Sequence, residues 1–323
     1  MKLCILVGGA GYIGSKLCWQ FLKKKYFDKI IITDIRDPIN KIEDVEYLIQ
    51  DIRDGLFIEL PNNVNTRQSW VFNLAAVHRE PGHEAHEYFD TNIKSAYSVN
   101  RFLEISGIQN LFFTSSIAPY GQKREVSDEY SQCYPQTPYG ISKWQAEAIH
   151  QIWLNTQEGR RLVISRPSVI YGPGDPGNIL RMIKSIKRGT FFIPGDPNII
   201  KAHGYIYGFI DSVFFTMEKS DSFILYNYAE NPCLSLGEIV KAVKIQFKKS
   251  PVNIRIPLPI LISVARIISF FNPNSSIHPV RVKKAAFPTN IRPQYLIDNG
   301  FRFKYSFPES LKHWLKRAPQ DFA

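Results

Sequence analysis

Apolar residues in this chain come in short unbroken runs, and most early runs are followed by a stretch long enough for a helix. Leu3–Val7, Lys29–Thr33, Trp70–Asn73, Leu111–Thr114 and Leu162–Ser165 read as strands buried on both faces. Such strands, separated by helical segments, predict an α/β protein: a doubly wound parallel sheet covered by helices on both sides. After Arg166 the pattern changes. Proline and glycine crowd into SVIYGPGDPGN and FFIPGDPN, which predicts loops over a cleft. Tyr205–Phe209 and Phe223–Tyr228 read as late strands, and from Ser235 onwards the chain reads as helices and short strands of a smaller region. The expected division is a sheet domain of residues 1–170, completed by about 205–234, and a discontinuous second region of 171–204 and 235–323. Within the latter, IRIPLPILISVARIISFF (254–271) is too short to span a bilayer and is broken by Pro257, Pro259 and Arg266. A buried helix is the expected reading; docking on a membrane surface is the alternative.

Composition narrows the class. With 44% hydrophobic and 13% aromatic residues, 323 residues can bury a large core, which excludes a disordered chain. Gly8, Gly9, Gly11 and Gly14 break the apolar start, so no signal-peptide core is read there. Cys4, Cys18, Cys133 and Cys233 lie far apart without metal-ligand spacing and read as free thiols of a reducing, cytoplasmic setting. The net charge of +11 reads as spread along the chain in short clusters such as Lys23-Lys24-Lys25. No nucleic-acid motif accompanies it, so a solvated surface and small phosphorylated ligands are expected rather than nucleic acid.

The first chemistry lies in LCILVGGAGYIGSKL, where glycines stand between a strand and a helix. Small residues there let backbone N–H groups approach a pyrophosphate, and the helix N-terminus adds favourable partial charge. Gly8, Gly11, Tyr12, Ile13 and Gly14 are the candidate contacts. Asp34 ends the second strand about twenty residues later, where a carboxylate accepts ribose hydroxyls and repels a 2′-phosphate. That favours NAD over NADP; neighbouring Arg36, beside Ile35, pulls the other way. Asp51 and Ile52 border the adenine in this reading.

The second lies in TPYGISKWQAE. Tyr139 and Lys143 are four apart and share a helix face, an arrangement suited to taking a proton from an alcohol. An ammonium beside a phenol is expected to lower the phenol's pKa. FFTSSIAPYG supplies a third member, since Ser115 and Ser116 follow Thr114 at the end of the fourth strand, on the edge where open α/β sheets bind ligands.

With GGAGYIG, NLAA (Asn73–Ala76), TSSIAPYG, PYGISK, RPSVIYGPG and TNIRPQYLIDNGF, the chain resembles the extended short-chain dehydrogenases/reductases, the NAD-dependent sugar-nucleotide epimerases and dehydratases. The resemblance covers nearly the whole chain. It implies a Rossmann domain with a small substrate domain, a homodimer built through two helices per subunit, and Ser116, Tyr139 and Lys143 as catalytic triad. It also implies cofactor contacts at Leu74, Ala75, Ala76, Asn92, Ser115 and Pro167, and nucleotide diphosphate contacts at Asn178 and Arg281. Two positions depart from the family: Lys201 and His203 replace a customary arginine in KAHGYIY, and Pro119 stands where valine is usual.

The polar run AAVHREPGHEAHEY (75–88) holds three histidines and three glutamates. Its HEAH is one residue too short for a zinc-binding HExxH, so no metal is expected. The expected form is a loop leading into the helix of Asn92, with His78, Arg79 or Glu80 facing substrate or merely capping that helix. As for the reaction, the resemblance implies oxidation at C4 of a nucleotide sugar. Ile117-Ala118 follow Ser116 where dehydratases carry an Asp-Glu pair and some reductive epimerases a cysteine. A C4 epimerase feeding surface polysaccharide is the leading expectation. A 4-keto-sugar reductase or sugar dehydrogenase, and an NAD-binding scaffold without turnover, are the alternatives.

Overall fold

The computed structural model describes residues 1–323 except 39, 81, 176, 251–254 and 272–277, and except the side chain of Arg281. Among them the strands are β1 (Leu3–Val7), β2 (Lys29–Asp34), β3 (Val45–Ile49), β4 (Trp70–Asn73), β5 (Asn110–Thr114), β6 (Arg161–Pro167), β7 (Val169–Tyr171), β8 (Ile193–Pro194), β9 (His203–Tyr205), β10 (Phe223–Tyr228) and β11 (Arg255–Ile256). The helices are α1 (Tyr12–Lys23), α2 (Ala85–Ser106), α3 (Pro138–Asn155), α4 (Asn178–Arg188), α5 (Ile206–Met217), α6 (Leu236–Gln246), α7 (Leu258–Phe271), α8 (Pro279–Ala286), α9 (Gln294–Asp298) and α10 (Phe307–Arg317).

Seven strands form one parallel sheet in the order β10-β6-β5-β4-β1-β2-β3. Successive side chains of a strand point to opposite faces, and here both faces are dry. Cys4, Leu6, Ile30, Ile32, Phe72 and Phe112 pack with Leu17 and Phe21 of α1 and with Phe209, Val213 and Phe214 of α5. Leu3, Ile5, Ile31, Val71, Leu111 and Ile164 pack instead with Val99 and Leu103 of α2 and Ala146 and Trp153 of α3. The chain leaves β1 in one direction to β2 and returns on its other side to β4, so the strand order reverses between them. Crevices at such a reversal are where open sheets bind ligands.

The first core extends without a break into the second region through Tyr171, Ile183, Leu236, Val240, Leu311 and Trp314. Two small parallel ladders, β7–β9 and β8–β11, lie there. Single bridges join Ser127 to Ile291 and Lys201 to Thr289.

Two expectations are corrected. The segment Tyr205–Phe209 is not a strand: β9 stops at Tyr205 and α5 begins at Ile206. Residues Ile206, Phe209, Ile210, Val213, Phe214 and Met217 are all buried, with Gly208 and Ser212 between them. A helix covered nearly all round shows no polar stripe, and its aromatic and β-branched residues imitate a strand. The segment ending at Phe271 is helical as α7, yet only Ala265 of it is buried, so it is not an interior helix.

Candidate active site

The turn from β1 into α1 is built by glycine where backbone crowds backbone. Gly8 sits at φ 73°, and a Cβ there would lie 2.6 Å from the nitrogen of Ala75. A Cβ on Gly14 would lie 2.5 Å from the carbonyl oxygen of Gly9. Gly11 differs: a Cβ there would meet only the carbonyl oxygen of Gly8, at 3.3 Å, so the space above it is open. Ser15 N–H closes the first helical bond on Gly11 (3.0 Å). The N–H groups of Tyr12, Ile13 and Gly14 therefore have no intrahelical acceptor and form an anion cradle. The Tyr12 side chain takes no part in the cradle. It runs beneath Gly172, and its buried hydroxyl has no hydrogen-bond partner.

Asp34 closes the far side of this turn, accepting from Ala10 N and Arg36 N, each at 3.2 Å. Ile35 is exposed beside it. The Asp51 carboxylate is held by Arg53 (Nε to Oδ1 3.0 Å), chiefly through that hydrogen bond, and stays below its usual pKa. Ile52 is buried in the core rather than lining the crevice. Leu74, Ala75 and Ala76 follow β4 against Gly8, and Pro167 ends β6 with its carbonyl accepting from Ile117 N (3.2 Å). At the end of β5, Thr114 Oγ1 is buried and unpartnered. Open N–H donors, a carboxylate at the end of β2 and an orphan hydroxyl along one sheet edge fit an adenine dinucleotide.

Thr137 starts α3 by accepting from Gly140 N (3.2 Å), with Pro138 in the first helical position. This sets Tyr139 and Lys143 one turn apart on the side facing β5. The phenol of Tyr139 lies near the Ser116 hydroxyl, which favours its ionised form. Lys143 is 1% exposed, its ammonium 4.2 Å above the Phe113 ring, and burial lowers it to about 7, with Glu147 opposing. Tyr139 is not lowered as expected. Burial raises it, Ser116 opposes, and Glu80 and Tyr88 add to the rise. Desolvation of the phenol outweighs what Ser116 returns, and the neighbouring charges add to the rise.

Several expected contacts turn inward. Asn92 accepts from Val77 N (2.9 Å) and donates to Ser142 Oγ (2.9 Å), so it staples the loop after β4 to α3. The hydroxyl of Ser115 donates to Glu147, whose carboxylate also takes Arg166 (Nε 2.9 Å, Nη2 2.5 Å). Lys201 donates to the carbonyls of Lys284 (3.0 Å) and Phe287 (2.7 Å) at the end of α8, and burial lowers it to about 8. Asn178 accepts from Arg181 (2.5 Å) on the exposed face of α4. Arg281 lies outside the described side chains. On the open side, His78 is held below its ordinary value first by partial desolvation and then by Arg79, Lys143 and His83. Its neighbour Glu80 forms an ion pair with Lys284 of α8. Further along the same run, His83 pairs with Glu87 in the first turn of α2.

Sequence reading missed Glu147 and His150, which continue the face of Tyr139 and Lys143 down α3. His150 bonds Asn100 (2.7 Å) and Asn73 (3.2 Å), and burial with Lys143 pushes it to about 3. The signal was present: polar residues at steps of four and three on an otherwise apolar helix face.

The profile of a family described as NAD dependent epimerase/dehydratase matches residues 4–228. The chain is 26% identical to N-acetyl-alpha-D-glucosaminyl-diphospho-ditrans,octacis-undecaprenol 4-epimerase of Escherichia coli O157:H7, over 97% of this chain and 94% of that one. It is 26% identical to the UDP-glucose 4-epimerase of Vibrio cholerae over 58% of each. Among solved structures it superposes on the UDP-glucuronic acid 4-epimerase of Bacillus cereus in complex with NAD with a TM-score of 0.76. That match has 18% identity and covers 99% of this chain and 100% of the other.

Proposed function

This chain belongs to the NAD dependent epimerase/dehydratase family and is an enzyme that uses NAD; from that premise we propose that it inverts C4 of a sugar held through a diphosphate, by way of a transient 4-keto sugar. The observation that carries the reading is the Ser116–Tyr139–Lys143 constellation, followed by Ile117-Ala118 and not by an acid–base pair. Bound NAD supplies the hydride acceptor and donor. The protein's part is proton handling and orientation. Tyr139 takes the proton of the sugar O4 and later gives it back, while the Ser116 hydroxyl holds the same oxygen. Lys143 sits one turn behind, with a pKa near neutrality, and is placed to steady the phenolate. No residue beside Ser116 can drive elimination, so the ketone's remaining course is to turn over and be reduced from its other face.

A nucleoside diphosphate is the first carrier to consider for the sugar. A polyprenyl diphosphate is the second, favoured by the undecaprenol-linked substrate in the name of the relative that matches 97% of the chain. Either product would serve surface polysaccharide assembly on the cytoplasmic side. Exposed Tyr97 and Ile105 on α2, with Trp144 and Ile152 on α3, support a homodimer through these two helices. No helix among the described residues is long and apolar enough to cross a membrane.

The test is NMR of UDP-hexoses, GDP-hexoses and polyprenyl-diphosphate N-acetylhexosamines incubated with purified protein and trace NAD. Conversion to the C4 epimer far beyond the NAD supplied is the expected result. Product that stops at the NAD supplied would make the enzyme a net dehydrogenase, and no conversion of any sugar would refute the epimerase.

A further inference from the structure

Net charge is not spread along this chain once the carboxylates are counted with the amines. Between Ile239 and Ile297 there are ten lysines and arginines and no aspartate or glutamate, so +10 of the chain's +11 falls in that segment. The family match ends at residue 228, before it begins. At the centre of the segment lies α7. Its Leu261, Ala265 and Ile268 recur at helical spacing on one side, where only Ala265 is buried. On another side Ile260, Val264, Ile267 and Phe271 form a second apolar stripe, 55%, 44%, 61% and 81% exposed, with Phe270 at 82% on its flank. Arg255 just before α7 and Arg266 within it are exposed, as are Lys248 and Lys249 after α6 and Lys283 on α8, which packs on α7.

We propose that α7 docks the protein on an anionic phospholipid bilayer, its Ile260–Val264–Ile267–Phe271 stripe entering the headgroup boundary and the surrounding cations resting on lipid phosphates. An apolar stripe, a basic surround and no carboxylate is the composition of an in-plane amphipathic anchor. A protein partner would equally cover the stripe, but a segment with ten lysines and arginines and no carboxylate of its own calls for a surface of dense negative charge. The position of α7 gives the docking a use. It packs on α8, whose Lys284 holds Glu80, and Glu80 acts on Tyr139. A bilayer under α7 thus lies beside the mouth of the cleft, where a sugar on a membrane-anchored diphosphate would enter. That last point rests on the proposed function; the docking does not.

The test is co-sedimentation of the full chain, without substrate, with vesicles of phosphatidylcholine alone or with one quarter phosphatidylglycerol. The wild type is expected to sediment with the anionic vesicles at least about tenfold more strongly than with the neutral ones, and to lose that preference in about 0.5 M salt. Ile267→Glu/Phe271→Glu should lower binding to anionic vesicles at least about tenfold while NAD binding and the unfolding temperature stay unchanged. Arg255→Glu/Arg266→Glu should abolish the lipid preference with the same controls. A wild type that stays in the supernatant with both vesicle types overturns the proposal, as does a double glutamate variant that sediments like wild type. If α7 instead covers a second copy, the glutamate variant will halve in mass by sedimentation velocity and neither protein will bind vesicles, which also overturns it. Because no turnover is measured, failure of the epimerase reading leaves this result intact.

Discussion

Lys143 is a cation buried where a cation is costly, and its position has a pH signature. Its pKa falls from 10.5 in the unfolded chain to about 7 in the folded protein, chiefly by burial. Below pH 7 both states carry the proton and the fold bears the full penalty. Between about 7 and 10.5 the unfolded chain holds more protons, so the penalty fades as pH rises. Lys143→Met should therefore raise the unfolding temperature by a few degrees at pH 6 and leave it unchanged near pH 10.5, while turnover falls at least about 100-fold. Equal thermal shifts at both pH values would exclude a buried, penalised ammonium. Gly11 separates cofactor from fold in the same way. In Gly11→Ala the new Cβ meets only the oxygen of Gly8 at 3.3 Å. Calorimetry should find stability within about 0.5 kcal/mol of wild type, and NAD affinity reduced at least about tenfold. Gly8→Ala, at positive φ and 2.6 Å from Ala75 N, should lose both.

At the scale of elements, α3 does two jobs with one face. Its first turns present Tyr139 and Lys143 to the cleft, and the next turn sends Glu147 to Arg166 on β6, both nearly fully buried. Removing one partner strands the other's charge. Arg166→Met should cost about 3–5 kcal/mol in chemical denaturation, and Glu147→Met/Arg166→Met should recover most of it. A double variant no better than the single would show that the pair is not the element's main tie. That tie was hard to see beforehand because Glu147 and Arg166 are nineteen residues apart and meet only through the α3–β6 turn. By contrast, Tyr139 and Lys143 were legible together because four residues on a helix make one turn whatever packs around them. Helix α5 shows the converse case, since its complete burial erased the periodicity that announces a helix.

For the whole molecule, parallel pairing brings the ends of β1, β2, β4, β5 and β6 to one edge. Gly8, Asp34, Ala75, Thr114 and Pro167, far apart in the sequence, thereby border one crevice. The sequence by itself determined the sheet, because runs of buried β-branched residues separated by helical lengths have few other ways to satisfy their backbones. It also determined the glycine turn and the Tyr139–Lys143 face, because those depend on neighbours within a few residues. What only the tertiary structure decided was which polar side chains look out and which look in. Asn92, Ser115 and Lys201 carry plausible binding chemistry as residues, yet each is consumed by partners 15 to 86 positions away. The same holds for α7: its apolar residues predict burial, yet among the described residues its Ile260, Val264, Ile267 and Phe271 stay exposed. Local chemistry is written in spacing, whereas the direction a side chain faces is set by what the rest of the chain brings against it.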